Sequence, residues 1–140
     1  MDNSLMINTY IRKILCSDSE IAEILKDNKT DNIKIFPVIS RAGTSLPYVI
    51  LSRDSVTPEY TKDGCYENEV YIVILVVHNN YDAGAYLANK IRNKLDLCRY
   101  NADDVYIDRI ELSGCGEGIA ADIDGYVQEL RFKINIENIG

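Results

Sequence analysis

The run Glu67-Asn-Glu-Val-Tyr-Ile-Val-Ile-Leu-Val-Val77 is the longest apolar strand pattern in the chain, and it decides the reading of the fold. Tyr71, Val73 and Leu75 fall on one alternating face, and Val70, Ile72, Ile74 and Val76 on the other. Both faces are apolar through its middle, as expected of a strand that is central in its sheet or covered on each side. A polar break, His78-Asn79-Asn80, leads into a helix pattern from Tyr81 to Leu97. Asn79 or Asn80 suits the N-cap, and Asp82 sits in the first turn, where the helix dipole favours an anion. The buried stripe of this helix reads Gly84, Leu87, Ala88, Ile91 and Leu95. Its small residues let it lie close on a sheet.

Upstream, Ile7, Tyr10, Ile11, Ile14 and Leu15 form an amphipathic stripe within Ser4 to Leu15. Ser17-Asp18-Ser19-Glu20 has the form of a capping box with Ser17 as N-cap, opening a short helix that carries Ile21, Ile24 and Leu25. A polar run from Lys26 to Asn32 ends the helical part. Ile33 to Ile39 is a short strand that Pro37 confines to an edge, and Pro47 to Ser52 is a second strand started by its proline. The polar stretch from Arg53 to Tyr66 extends it as a ragged ribbon, turning at Asp63-Gly64, where both residue types tolerate positive φ. Thr57 to Tyr66 has no apolar face to bury, so the tip of the ribbon projects beyond the core.

Downstream, Val105 to Leu112 is a strand whose apolar phase shifts near Asp108-Arg109, which implies a bulge. Ser113 to Gly125, rich in Gly and Asp, reads as a loop. The last strand alternates cleanly, with Leu130, Phe132, Ile134 and Ile136 on one face and Arg131, Lys133, Asn135 and Glu137 on the other. The expected architecture is α+β. It has a mainly antiparallel sheet of about five strands, an N-terminal helical segment and one long helix packed on one face, all in a single domain over residues 1–140. The long helix crosses over the sheet between the third and fourth strands.

Composition narrows the function. The 140 residues carry a net charge of −7, with a pI of about 4.7. That balance argues against sequence-reading nucleic-acid binding and against an anionic membrane surface, both of which need Lys/Arg-rich faces. It suits solubility and a surface that nucleic acid must pass without sticking. The start lacks the basic and apolar regions of a signal peptide, and no apolar run reaches the length of a membrane span. Cys16, Cys65, Cys98 and Cys115 are scattered without a C-x-x-C and are expected to be reduced thiols.

No constellation in the sequence carries a reaction. His78 is the only histidine; Glu67 and Glu69 share its strand but lie far down it, and no cysteine sits nearby in sequence, so a solvent-exposed strand-end histidine is expected rather than a general base. Gly116-Glu-Gly-Ile-Ala-Ala121 matches the spacing of a dinucleotide fingerprint, but Asp122-Ile-Asp-Gly125 would stop any helix after about one turn, and the carboxylates would repel phosphate. The same Asp122-Ile-Asp-Gly125 fails the EF-hand pattern, because Arg131 stands where the bidentate glutamate belongs. Glu117, Asp122 and Asp124 remain as candidates for an irregular divalent site. Catalytic residues and cofactors are expected to be absent. Ten tyrosines against two phenylalanines suit protein interfaces, and Tyr60 and Tyr66 flank the hairpin tip.

The order of these features resembles the tail-completion, or tail-terminator, proteins of long-tailed bacteriophages. The matching features are the leading helical segment, Ile35-Phe-Pro37, Leu46-Pro-Tyr-Val-Ile-Leu-Ser52 and the hairpin with Asp63-Gly64. The long strand to Val77, Tyr81-Asp-Ala-Gly-Ala-Tyr-Leu-Ala88, and Asp124-Gly-Tyr126 before the Leu130 to Ile134 strand complete them. The resemblance implies a non-enzymatic subunit of a ring, commonly hexameric, on the head-proximal end of the tail tube. Such a ring stops tube polymerisation, docks the head connector and leaves a lumen through which DNA passes without specific binding. It implies residence in the virion tail, and in the host cytoplasm during assembly, with no membrane partner. The hairpin residues Tyr60, Lys62, Asp63, Cys65 and Tyr66 are then the expected contacts to a neighbouring subunit or the tube. The alternative is a small-ligand-binding regulatory domain using the Gly/Asp-rich segment 114–125.

Overall fold

The computed structural model describes residues 4–40, 43–61, 64–101 and 105–138, with the side chains of residues 61, 64–66 and 138 outside that description. A 3-10 turn, Ser4–Met6, leads into α1 (Ile7–Cys16) and α2 (Ser19–Leu25). α1 buries the stripe expected of it. The N-cap of α2 is Asp18 rather than Ser17: the Asp18 carboxylate accepts from the N–H groups of Glu20 and Ile21 at 3.0 and 3.1 Å. Ser17 still belongs to the end of α1, where its hydroxyl donates to the Ile14 carbonyl. With that oxygen engaged backwards, the cap moves one residue on.

β1 (Ile35–Pro37), β2 (Tyr48–Thr61) and β3 (Gly64–His78) precede α3 (Tyr81–Leu95), whose N-cap Asn80 accepts from the Ala83 N–H. β4 (Tyr100–Asn101), β5 (Val105–Ala120), a 3-10 turn at Ala121–Ile123 and β6 (Gly125–Asn138) complete the described chain. The sheet order is β1-β2-β3-β6-β5-β4. The expectation of a mainly antiparallel sheet of about five strands is corrected to six strands in a mixed sheet, because β1 pairs with β2 in parallel. β1 and β4, three and two residues long, are too short to print a periodicity. β6 pairs antiparallel with both β3 and β5. The connection from β3 through α3 to β5 is therefore a split β-α-β unit, with the later strand inserted in its middle.

The core lies on one face of this sheet. Val70, Ile72, Ile74 and Val76 of β3 join Leu130, Phe132, Ile134 and Ile136 of β6 against the buried stripes of the three helices. Among the described residues the opposite face carries no helix, and Tyr71, Val73 and Leu75 are only half-buried there. β3 is central, but the expectation that both its faces stay dry holds for one face alone. The phase shift in β5 is a register shift between Ile107 and Arg109, and a second follows between Leu112 and Gly114. Segment 113–125 is not a loop: β5 runs on through Gly114, Gly116 and Gly118 to pair with β6 as far as Ala120 opposite Gly125.

Candidate assembly surfaces

Two long hairpins leave this sheet at opposite ends. In the first, β2 and β3 pair to Thr61 opposite Gly64. Lys62 and Asp63, and with them the expected Asp63-Gly64 turn, lie outside the described residues. The outer side of β2 beyond Leu51 has no strand partner among the described residues. A register shift between Arg53 and Ser55 and the proline at Pro58 blunt that edge against pairing. Tyr60 stands opposite Cys65 and is 73% exposed. Cys65 and Tyr66 lie in β3, and their side chains are outside the description.

Across the legs of this hairpin, Glu59 faces Glu67 and Glu67 faces Glu137. Burial, then the charges of Glu59 and Glu137, raise the Glu67 carboxyl above its ordinary range. One row of the open sheet face is thus acidic, and ionising its middle member costs the fold stability.

In the second hairpin, β5 and β6 close through the 3-10 turn and Asp124, which takes the left-handed conformation at φ 50°. A Cβ on Gly125 would stand 3.0 Å from Val77 Cγ1, so the turn presses directly on the end of β3. On the helix-bearing face, Tyr81 at the start of α3 donates from its hydroxyl to Glu117 Oε2 at 2.6 Å, and Gln128 Nε2 donates to the same oxygen at 3.4 Å. That hydrogen bond raises the Tyr81 phenol above its ordinary value. The Tyr81 and Tyr126 rings meet edge to face, with centroids 5.7 Å apart. Ile119, Ala121, Asp124 and Tyr126 line a shallow hollow of about 360 Å³ at the tip. Sequence reasoning missed this cluster; the available signal was Cys115, Glu117 and Ile119 alternating with glycines at strand spacing.

The remaining chemical candidates separate. His78 pairs with Tyr126 across the sheet, and its Nδ1 accepts from the Asn80 N–H at 3.0 Å. Burial, opposed by a hydrogen bond to Asn79 and helped by the charge of Lys34, lowers its pKa and favours the neutral ring. Among the described residues, no three His, Cys, Asp or Glu side chains converge as a metal site, and this holds for Glu117, Asp122 and Asp124. The Gly116 to Ala121 fingerprint lies in a strand that ends in a three-residue 3-10 turn, so no helix N-terminus faces it. Cys16, Cys98 and Cys115 are free thiols.

A family model described as tail completion protein gp17 matches residues 9–137. The chain belongs to that family. The tail completion family is a family of phage structural proteins and not an enzyme class, so the role is structural and its place is the phage tail. No curated protein sequence matches the chain. A solved structure titled "Virion of native gene transfer agent (GTA) particle" matches with a TM-score of 0.76 at 13% identity, covering 97% of this chain and 99% of that one. At that identity the likeness is one of fold, over nearly the full length of both chains.

Proposed function

We propose that this tail completion family member is the subunit of a ring, hexameric, that sits on the head-proximal end of the tail tube, ends its polymerisation and joins tail to head. Family membership across residues 9–137 is the observation that carries the reading. The two hairpins, at opposite ends of one sheet, suit a subunit that must contact something above and below it. The β2–β3 hairpin, with Tyr60, Lys62, Asp63, Cys65 and Tyr66, is the arm offered to a neighbour or the tube. The net charge of −7 suits a lumen that DNA crosses without specific binding. The chain works as one domain, is made and assembled in the host cytoplasm, and ends in the virion tail. Native mass measurement with and without purified tail-tube protein tests the proposal. Six copies of 15.8 kDa, about 95 kDa, or a capped short tube supports it. A chain that stays monomeric, or stops at a dimer, beside tube protein that keeps growing overturns it.

A further inference from the structure

Eleven large hydrophobic side chains are exposed among the described residues, and eight of them fall into two groups on opposite flanks of the sheet. Exposed apolar residues scattered singly need no explanation, but groups of them mark contact surfaces. One group is Leu5, Met6, Val38 and Ile39, beside β1. These four belong to one flank because the Leu51 carbonyl accepts from both the Val38 N–H and the Asn8 side chain, while Arg53 Nη1 donates to the Leu5 carbonyl. The other group is Tyr81, Ile119, Ile123 and Tyr126, around the hollow at the β5–β6 tip. β1 ends the sheet on one side, and β5, covered only by the two-residue β4, ends it on the other.

Val38 and Ile39 are presented by unusual backbone. Val38 has φ 66°, and the Ile39 N–H donates to the Pro37 carbonyl at 2.7 Å, closing a γ-turn of the rare positive-φ hand. A β-branched residue in that region is strained and persists only where surrounding structure or function holds it. The turn leaves the two side chains 69% and 75% exposed, as a protruding apolar knob.

The charges of the two flanks are opposite. Arg12, which lies along β1 and donates to the Ile33 and Ile35 carbonyls, and Arg53 have no carboxylate within ion-pair distance among the described residues. Around the hollow stand Glu117, Asp122 and Asp124, with no described cation paired to them. A basic knob and an acidic hollow on opposite edges of one subunit fit each other and cannot be satisfied within one chain. Resting on the ring reading above, we infer that the occupant of each is a second copy of this chain. The Val38–Ile39 knob of one subunit seats in the Ile119–Tyr126 hollow of the next, with Arg12 and Arg53 facing its carboxylates. The contact is heterologous, the kind that closes a ring when repeated. Opposite charges set its orientation and make it salt-sensitive.

The test uses two disabled full-length chains. Val38→Asn with Ile39→Ser removes the knob; asparagine tolerates positive φ, so this chain should melt no lower than the wild type. Ile119→Ser with Tyr126→Ser removes the hollow, and a melt checks that it is folded. Under conditions where the wild type assembles, alone or on tube protein, each variant by itself should lose association about tenfold or more. Each variant keeps one good surface, so their equimolar mixture should stop at a heterodimer of about 32 kDa, two copies of 15.8 kDa, and Arg53→Glu in the hollow-disabled chain should abolish it. Wild-type rings that survive both pairs of substitutions, or a folded mixture that stays monomeric, overturn this contact and leave the ring standing. A wild type that forms no ring on the tube overturns both.

Discussion

The two hairpins are built on the same sheet, share β6 as a neighbour or a leg, and are opposite in kind. The β2–β3 hairpin carries polar legs, a blunted outer edge and an acidic row. The β5–β6 hairpin has three glycines in one leg, yet its tip is held down: Tyr81 of α3 bonds Glu117, Tyr126 packs on Tyr81, and Gly125 presses on Val77. The difference teaches that projection depends on what an adjacent element supplies, and not on how flexible the residues are. The β5–β6 tip is fastened where Tyr81 at the start of α3 reaches Glu117 and Tyr126, although the glycines of its leg face open space.

The comparison breaks most readily at the strand between the hairpins. Phe132 is fully buried in β6, beside β3 on one side and β5 on the other. Phe132→Ala should cost about 3–5 kcal/mol and lower the urea midpoint of both hairpins together. Loss of amide protection in β5–β6 alone would show that the hairpins are separate cooperative units. Next in size is a pair of glycine substitutions in the second hairpin. Gly125→Val forces a side chain against Val77 and should destabilise by about 1–3 kcal/mol. Gly118→Val meets open space on an extended strand and should be neutral or stabilising by up to about 1 kcal/mol. Thermal melts in which both variants fall alike would mean that the tip is not where the hairpin is fastened.

Acid should separate the two ends further. His78 has a lowered pKa when folded, so the stability it lends is present above the ordinary histidine value of 6.5 and is lost as pH falls below it. Glu67 has a raised pKa, so its penalty is present at neutral pH and relaxes as pH falls toward and below the ordinary value of 4.5. Hydrogen exchange should show amides around His78 and Tyr126 loosening between pH 7 and 5. Glu67→Gln should stabilise the legs of the first hairpin at pH 7 and lose that advantage in acid. The smallest effect on the fold is expected from Tyr60→Ser with Tyr66→Ser, within about 0.5 kcal/mol by denaturation. The same variant should weaken ring formation on the tube, and unchanged assembly would remove the first hairpin from the contact surface.

Wherever an element pays out its apolar residues at a regular period, the sequence made it legible. The stripe of α1, the Gly84 to Leu95 stripe of α3 and the alternation from Leu130 to Ile136 all pack as their spacing implies. The second half of β5 was illegible because glycine has no side chain to alternate; its strand is made by hydrogen bonds to β6 that are distant in sequence. β3 misled in the other direction. Tyr71, Val73 and Leu75 announce a second dry face, but burial is supplied by helices, and all three helices lie on the other side. Of the expected contact residues, Tyr60 could be read as exposed from its polar surroundings. The Val38 knob could not, since its prominence comes from one backbone angle. The hollow gathers residues from β5, the turn after it, β6 and Asn79 just past the end of β3.

The placing of β6 also has a kinetic consequence. It is the last of the six strands to be synthesised, and it lies between β3 and β5, which have no pairing with each other. Until β6 emerges, the β2–β3 hairpin and β5 are joined only through α3, and the apolar faces of Val70 to Val76 and Val105 to Ile110 lack the strand that links them. Folding to the native sheet must then wait for β6 and close contacts between distant segments, which favours slow, all-at-once completion. A subunit whose sheet closes only when β6 slots into place offers no finished edge for assembly before that strand has been made.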